Sequence, residues 1–123
     1  MVSRIVAHRL RDLQVVEVYG RRVPVAAGIR VRLLGLAHLD RDQVGTGLLI
    51  PRCSSVHTFG MRFGLDLVFL GRDGAVRSLR RGVPPRRFAS DREAAAVLEM
   101  PAESAICGWA PEAEGGEFSA PRP

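Results

Sequence analysis

The side chains that could do chemistry crowd into one stretch. From Ser54 to Leu79 the sequence reads SSVHTFGMRFGLDLVFLGRDGAVRSL, and it places His57, Thr58, Met61, Arg62 and Asp66 close together. A hydroxyl, an imidazole and a carboxylate are the groups of an acid–base or nucleophilic set. His57 and Thr58 are adjacent, however, so on an extended backbone their side chains diverge, and the stretch has no Gly-x-Ser-x-Gly elbow. The alternative is that His57 and Asp66 satisfy backbone groups in the turn from Ser54 to Met61. Cys53, His57, Cys107 and His38 carry soft and imidazole donors of the kind zinc takes. They contain no Cys-x-x-Cys pair and their spacing is irregular, so the expectation is two ordinary buried thiols, no metal and no other cofactor. Whether Cys53 and Cys107 stay free or pair depends on the redox compartment, which the sequence leaves open.

A second cluster follows at once. Arg77, Arg80, Arg81, Arg86 and Arg87 lie in RSLRRGVPPRRF. Guanidinium forks suit a phosphate, a sugar acid or a carboxylate. Gly82 and the Pro84–Pro85 pair suggest a shaped loop rather than a flexible tail. The competing reading is a solvated face balanced by the glutamates of the C-terminal end.

These residues must be positioned by strands. Phe63 to Leu70 is apolar on both alternating faces, with Phe63, Leu65, Leu67 and Phe69 on one and Gly64, Asp66, Val68 and Leu70 on the other. Such a run, bounded by glycines, predicts a strand covered on both sides. Asp66 is the anomaly in it. A carboxylate there needs fixed partners, either backbone N–H groups of the Ser54–Met61 turn or an arginine such as Arg32, Arg62 or Arg77. Gly71 to Gly74 predicts a hairpin turn and Ala75 to Leu79 the return strand. Upstream, Gln14 to Tyr19 alternates and is β-branched, and Arg22 to Ala26 returns after Gly20–Arg21, with Pro24 placing that strand at an edge. Leu33, Leu34, Leu36 and Leu39 predict a short helix within 27–39, weakened by Gly35. Ile5 to Leu13 has poor periodicity and reads as a partly ordered strand or arm. Residues 40–47 form a polar loop, Leu48 to Pro51 a short strand, residues 91–96 one helical turn, and Val97 to Met100 a last strand stopped by Pro101.

At 123 residues, 46% hydrophobic and 25% charged, the chain predicts a single domain, residues 1–123, with a core that needs no disulfide or metal. Residues 112–123, rich in Gly, Pro, Ala and Glu, form an acidic end expected to fray. The expected fold is mostly β, barrel- or sandwich-like, with one or two short helices. No apolar run approaches bilayer length and the N-terminus does not read as a signal peptide, so the expected location is cytoplasmic, or envelope-associated if a leader was removed. All 18 cationic residues are arginine. Residues 1–90 hold 16 of them against six acids, whereas residues 91–123 hold two against seven. That asymmetry suits an acidic tail folded on a basic body. Without lysine clusters, an aromatic stacking series or a helix-turn-helix pattern, nucleic acid is not the expected partner.

The strings Arg32-x-x-Gly35-Leu36, GTGLLI, SVHTFGMRFGLDLVFLGRDGAV and AAAVLEMPA together resemble one prokaryotic family, the uncharacterised conserved domain DUF192. The resemblance covers Val15 to Ala102, and VHTFGM-R-F-x-x-D-x-x-F-L is its most specific part. It implies one mostly β domain with one or two short helices, and it implies no activity, substrate or cofactor. Many relatives have a Trp-Met pair where this chain has His57-Thr58, which tells against an essential acid–base role for His57. The ending PAESAICGWAPEAEGGEF is also shorter than the helix-then-strand ending of such proteins. The reading is a small non-catalytic β domain that binds a small anionic ligand or a protein partner. Its candidate site is His57, Thr58, Met61, Arg62 and Asp66 with Arg77, Arg80, Arg81, Arg86 and Arg87. The alternatives are a hydrolase-like enzyme using His57 and Asp66, and a structural accessory of a cell-envelope assembly.

Overall fold

The buried strand anticipated around Asp66 is the spine of the structure. In a computed structural model, residues 8–102 are described. The elements run α1 (His8–Arg11), β1 (Val15–Val18), β2 (Arg21–Pro24), α2 (Ile29–Leu34), a 3-10 turn (Arg41–Gln43), β3 (Leu48–Pro51), β4 (Ser55–His57), β5 (Leu65–Leu70), β6 (Val76–Val83), β7 (Phe88–Ser90) and β8 (Ala96–Pro101). The main sheet is antiparallel with order β3-β8-β5-β6, and β1–β2 and β4–β7 are two separate two-stranded ribbons. No barrel closes. The fold is mostly β, as expected, with two short helices.

Every residue of β5 is buried, and its two faces serve two cores. Leu65, Leu67 and Phe69 enter a main core with Leu36, Leu48, Ile50, Val56, Met61 and Val97. Val68 and Leu70 enter a second core with Val18, Val23, Leu98 and Met100, which the β1–β2 ribbon covers. The period-2 alternation of β5 and β8 is what builds both at once. β3 and β6 are the sheet edges. The β3 edge is met by a single parallel bridge from Val25 to Leu49. The β6 edge carries Arg77, Arg80 and Arg81, charges that blunt it against further strand pairing.

Three elements differ from expectation. The segment before β1 is a helical turn whose Leu10 is buried, not a strand. Its Arg9 donates to the Gly35 and Ala37 carbonyls, just beyond the end of α2. β6 runs on to Val83, so Arg80 to Val83 are strand rather than loop. Residues 91–96 make a turn and then join β8, with no helix. No helix among the described residues is long and apolar enough to cross a membrane.

Candidate functional site

Asp66 shows how the arginine segment is held. Between the pairs Leu65↔Val83 and Leu67↔Arg80, two residues of β6, Arg81 and Gly82, face the single residue Asp66. That is a β-bulge, and a bulge leaves backbone polar groups unpaired. Asp66 Oδ1 accepts the Gly82 N–H at 2.8 Å, with Gly82 at φ 61°. Asp66 Oδ2 lies 3.9 Å from Arg81 Nη1. The carboxylate in the apolar strand therefore has partners, as physical chemistry requires, but they come from β6 and not from the Ser54–Met61 turn or from Arg32, Arg62 or Arg77.

Thr58, 1% exposed, holds the next part of the segment. Its Oγ1 donates to the Pro84 carbonyl at 2.7 Å and accepts the Arg87 N–H at 2.8 Å. Its backbone N–H donates to the Arg87 carbonyl, and its own carbonyl accepts the Arg86 N–H. β4 and β7 continue the contact through Val56↔Ala89 and His57↔Phe88. Thr58 and one oxygen of Asp66 are thus spent on the backbone of residues 82–87, and the other Asp66 oxygen faces Arg81. They position that segment instead of offering themselves to a ligand.

The other anticipated residues divide. Arg62 pairs with Asp40 at 2.8 Å and Arg77 pairs with Glu93, both exposed, so each counts for little in stability. Arg80 donates to the Ser90 carbonyl and lies 5.3 Å above the Phe69 ring. Met61 is a core residue. Arg81, Arg86 and Arg87 remain exposed. His57 Nδ1 accepts the Phe59 N–H at 3.1 Å, a local turn bond. No hydrogen bond or ion pair among the described residues joins His57 to Asp66. Nor, among the described residues, does any group of three or more His, Cys, Asp or Glu gather as for a metal; Cys107 lies outside the described residues, and so does the acidic end.

The outcome is an aromatic and cationic face. His57, Phe59 and Phe88 meet with ring centroids 5.2–6.4 Å apart. Phe88 is 76% exposed, a large apolar cost to leave in water. A hollow of about 420 Å³ is lined by Phe88 together with Arg80, Arg81, Arg87 and residues 82–84. His57 also lines a half-open pocket of about 170 Å³ that Glu99 lines as well. A hollow of about 640 Å³ lies elsewhere, rimmed by Arg52, Arg72 and Arg92. The sequence reading missed Phe88, Glu99 and this third hollow. Glu99 carried the same signal as Asp66, a carboxylate inside an apolar strand.

The Asp66 geometry carries a stability prediction. Asp66→Ala removes the acceptor that closes the bulge, and the expected loss is roughly 2 kcal/mol, with Asp66→Asn losing less because one acceptor oxygen survives. Urea denaturation of the two variants beside the parent measures both. An Asp66→Ala protein as stable as the parent would remove the positioning role.

Comparison with known proteins adds a family and a fold. The DUF192 family, described as uncharacterized ACR, matches residues 14–108. A protein of unknown function from Novosphingobium aromaticivorans DSM 12444 superposes with a TM-score of 0.57 at 22% identity, covering 81% of this chain and 82% of that one. A candidate transcription regulator from Sinorhizobium meliloti 1021 superposes with a TM-score of 0.56 at 24% identity, covering 75% and 80%. At these identities the likeness is one of fold. No curated protein matches the chain.

Proposed function

The chain belongs to the DUF192 family, and from that premise we propose that it is a non-catalytic interaction domain whose arginine–aromatic face docks an acidic, partly apolar segment of a partner protein. The observation that carries this is the segment Arg81–Phe88. Its backbone is pinned by Asp66 and Thr58, while Phe88 stays 76% exposed against His57 and Phe59, Arg86 and Arg87 are exposed, and Arg81 is exposed with its one ion-pair approach at 3.9 Å to Asp66. A rigid backbone presenting aromatic and arginine side chains is the composition of an interface centre. Residues this exposed form a face, whereas small-ligand sites enclose most of their ligand. Of the two ligand classes that the sequence leaves open, the geometry therefore favours the protein partner here. The arginines supply steering and charge-assisted hydrogen bonds to carboxylates, and Phe88 supplies the buried anchor.

A fluorescein-labelled decapeptide of alternating glutamate and leucine is the probe, followed by anisotropy. Binding is expected at low salt and should weaken as salt rises. Phe88→Ser and Arg87→Ala should each weaken it by roughly fivefold or more, the loss typical of a central interface residue. The same decapeptide with lysine in place of glutamate should not bind. A single-stranded oligothymidylate is a third arm, prompted by the candidate transcription regulator of similar fold. If the oligonucleotide binds more tightly than the acidic peptide, or if Phe88→Ser changes nothing, the reading is overturned.

A further inference from the structure

β8 places Glu99 where an apolar side chain belongs. Its cross-strand neighbours are Leu48 on β3 and Leu67 on β5, both fully buried, and its own face of the strand carries Val97 into the main core. Glu99 is 4% exposed. The Leu36 backbone N–H donates to the carboxyl, and among the described residues Oε1 has no hydrogen-bond partner at all. Buried polar atoms are partnered in the great majority of cases, so one that is not asks for an explanation. The surroundings leave space for a partner. Gly35 stands over the carboxyl so closely that a Cβ there would come within 2.9 Å of Oε1. The pocket of about 170 Å³ opens in front, with Leu33, Leu34, Ile50 and Val56 as apolar walls and Arg32, Cys53 and His57 also lining it. Arg32 is already committed, donating to the Pro51 and Arg52 carbonyls.

We infer that this pocket is a binding site for a small amphipathic amine, with the ammonium on Glu99 Oε1 and the hydrocarbon body against Leu33, Leu34, Ile50 and Val56. The size suits a compound of about five to seven non-hydrogen atoms, since an apolar cavity of about 150 Å³ holds benzene. The acid floor rejects a carboxylate or phosphate, which would face a like charge or force both groups to share a proton. An ammonium supplies the donor that Oε1 lacks and the charge that stabilises its ionised form. At a pH where Glu99 is protonated, binding releases that proton.

n-Butylamine, n-butanol and butyrate are the probes, read by amide shifts of Leu34, Gly35, Leu36 and Glu99 in the full chain. n-Butylamine should saturate these shifts, and butyrate should leave them unmoved. Affinity for the amine should fall roughly tenfold from pH 8 to pH 6, following the ionised fraction of a carboxyl that titrates at about 7. Glu99→Gln should remove most of the binding and most of that pH dependence; the other charged or titratable side chains lining the pocket are Arg32, Cys53 and His57. The comparison of amine with butyrate needs no variant and stands if Glu99→Gln fails to fold. Equal binding of butyrate, equal binding of n-butanol at both pH values, or no saturable shift with n-butylamine at pH 8 overturns the inference.

Discussion

Gly47→Ala is expected to lose roughly 3–5 kcal/mol of stability, enough to unfold a marginal domain. Gly47 leads into β3 with φ at 135°, a backbone conformation that side chains rarely adopt. A Cβ at this position would sit 2.4 Å from the backbone carbonyl oxygen of Glu99 and 3.2 Å from Met100 Cγ. The carbonyl cannot retreat, because β8 is hydrogen-bonded on both sides, to β3 and to β5. Gly28→Ala is the control. It has φ at 91° with nothing within 4 Å of its added Cβ, so it carries backbone strain alone and should lose only about 1 kcal/mol. Urea midpoints of the two variants separate clash from strain. Equal losses would mean that the approach of Gly47 to β8 is looser than described.

The second large effect is the pH dependence of stability set by Glu99. Burial pushes its carboxyl up from the ordinary 4.5 to about 7, and the Leu36 N–H offsets only part of that. The folded protein therefore binds a proton that the unfolded chain has already released between those two values. Below pH 4.5 both states are protonated and Glu99 adds no pH dependence. From pH 4.5 to about 7 stability falls as pH rises, and above 7 the loss is complete, at roughly 3 kcal/mol. Glu99→Gln cannot ionise, so its stability should lie nearly flat across that window and exceed the parent's at pH 8. Chemical denaturation at pH 5, 6, 7 and 8 reads the two slopes. A parent whose stability rises steadily from pH 5 to 8 contradicts an uncharged, buried Glu99.

What could be read in advance follows the range of the physics. The alternation in Phe63 to Leu70 is local and apolar on both faces, so β5 and its two cores were legible. The turn at Gly71–Gly74 closes the β5–β6 hairpin, with Asp73 Oδ1 accepting the Ala75 N–H. Pro24 did mark a strand of a small outer ribbon. β7 was not legible. Phe88–Ser90 is only three residues long, and its strand character depends on β4 and Thr58, thirty residues away in the chain. The extension of β6 through Arg80–Val83 was hidden by its arginines and glycine, which suit a loop in isolation. At a sheet edge with a bulge closed by Asp66, they suit a strand. The candidate site was half legible for the same reason. Thr58 and Asp66 were found by their types, but their task is backbone support. Phe88 was passed over because exposure is a property of the folded chain, whereas Glu99 was legible by the same signal as Asp66, and only its missing partner belongs to the folded chain.

The central claim is that the pinned segment presents a docking face. The direct measurement is an amide shift map of the full chain titrated with the unlabelled glutamate–leucine decapeptide. The account predicts shifts concentrated in Arg80–Ser90 and in His57–Phe59, with the Gly35 and Glu99 amides unmoved. Shifts centred instead on the hollow rimmed by Arg52, Arg72 and Arg92, or no saturable shift at low salt, would contradict it.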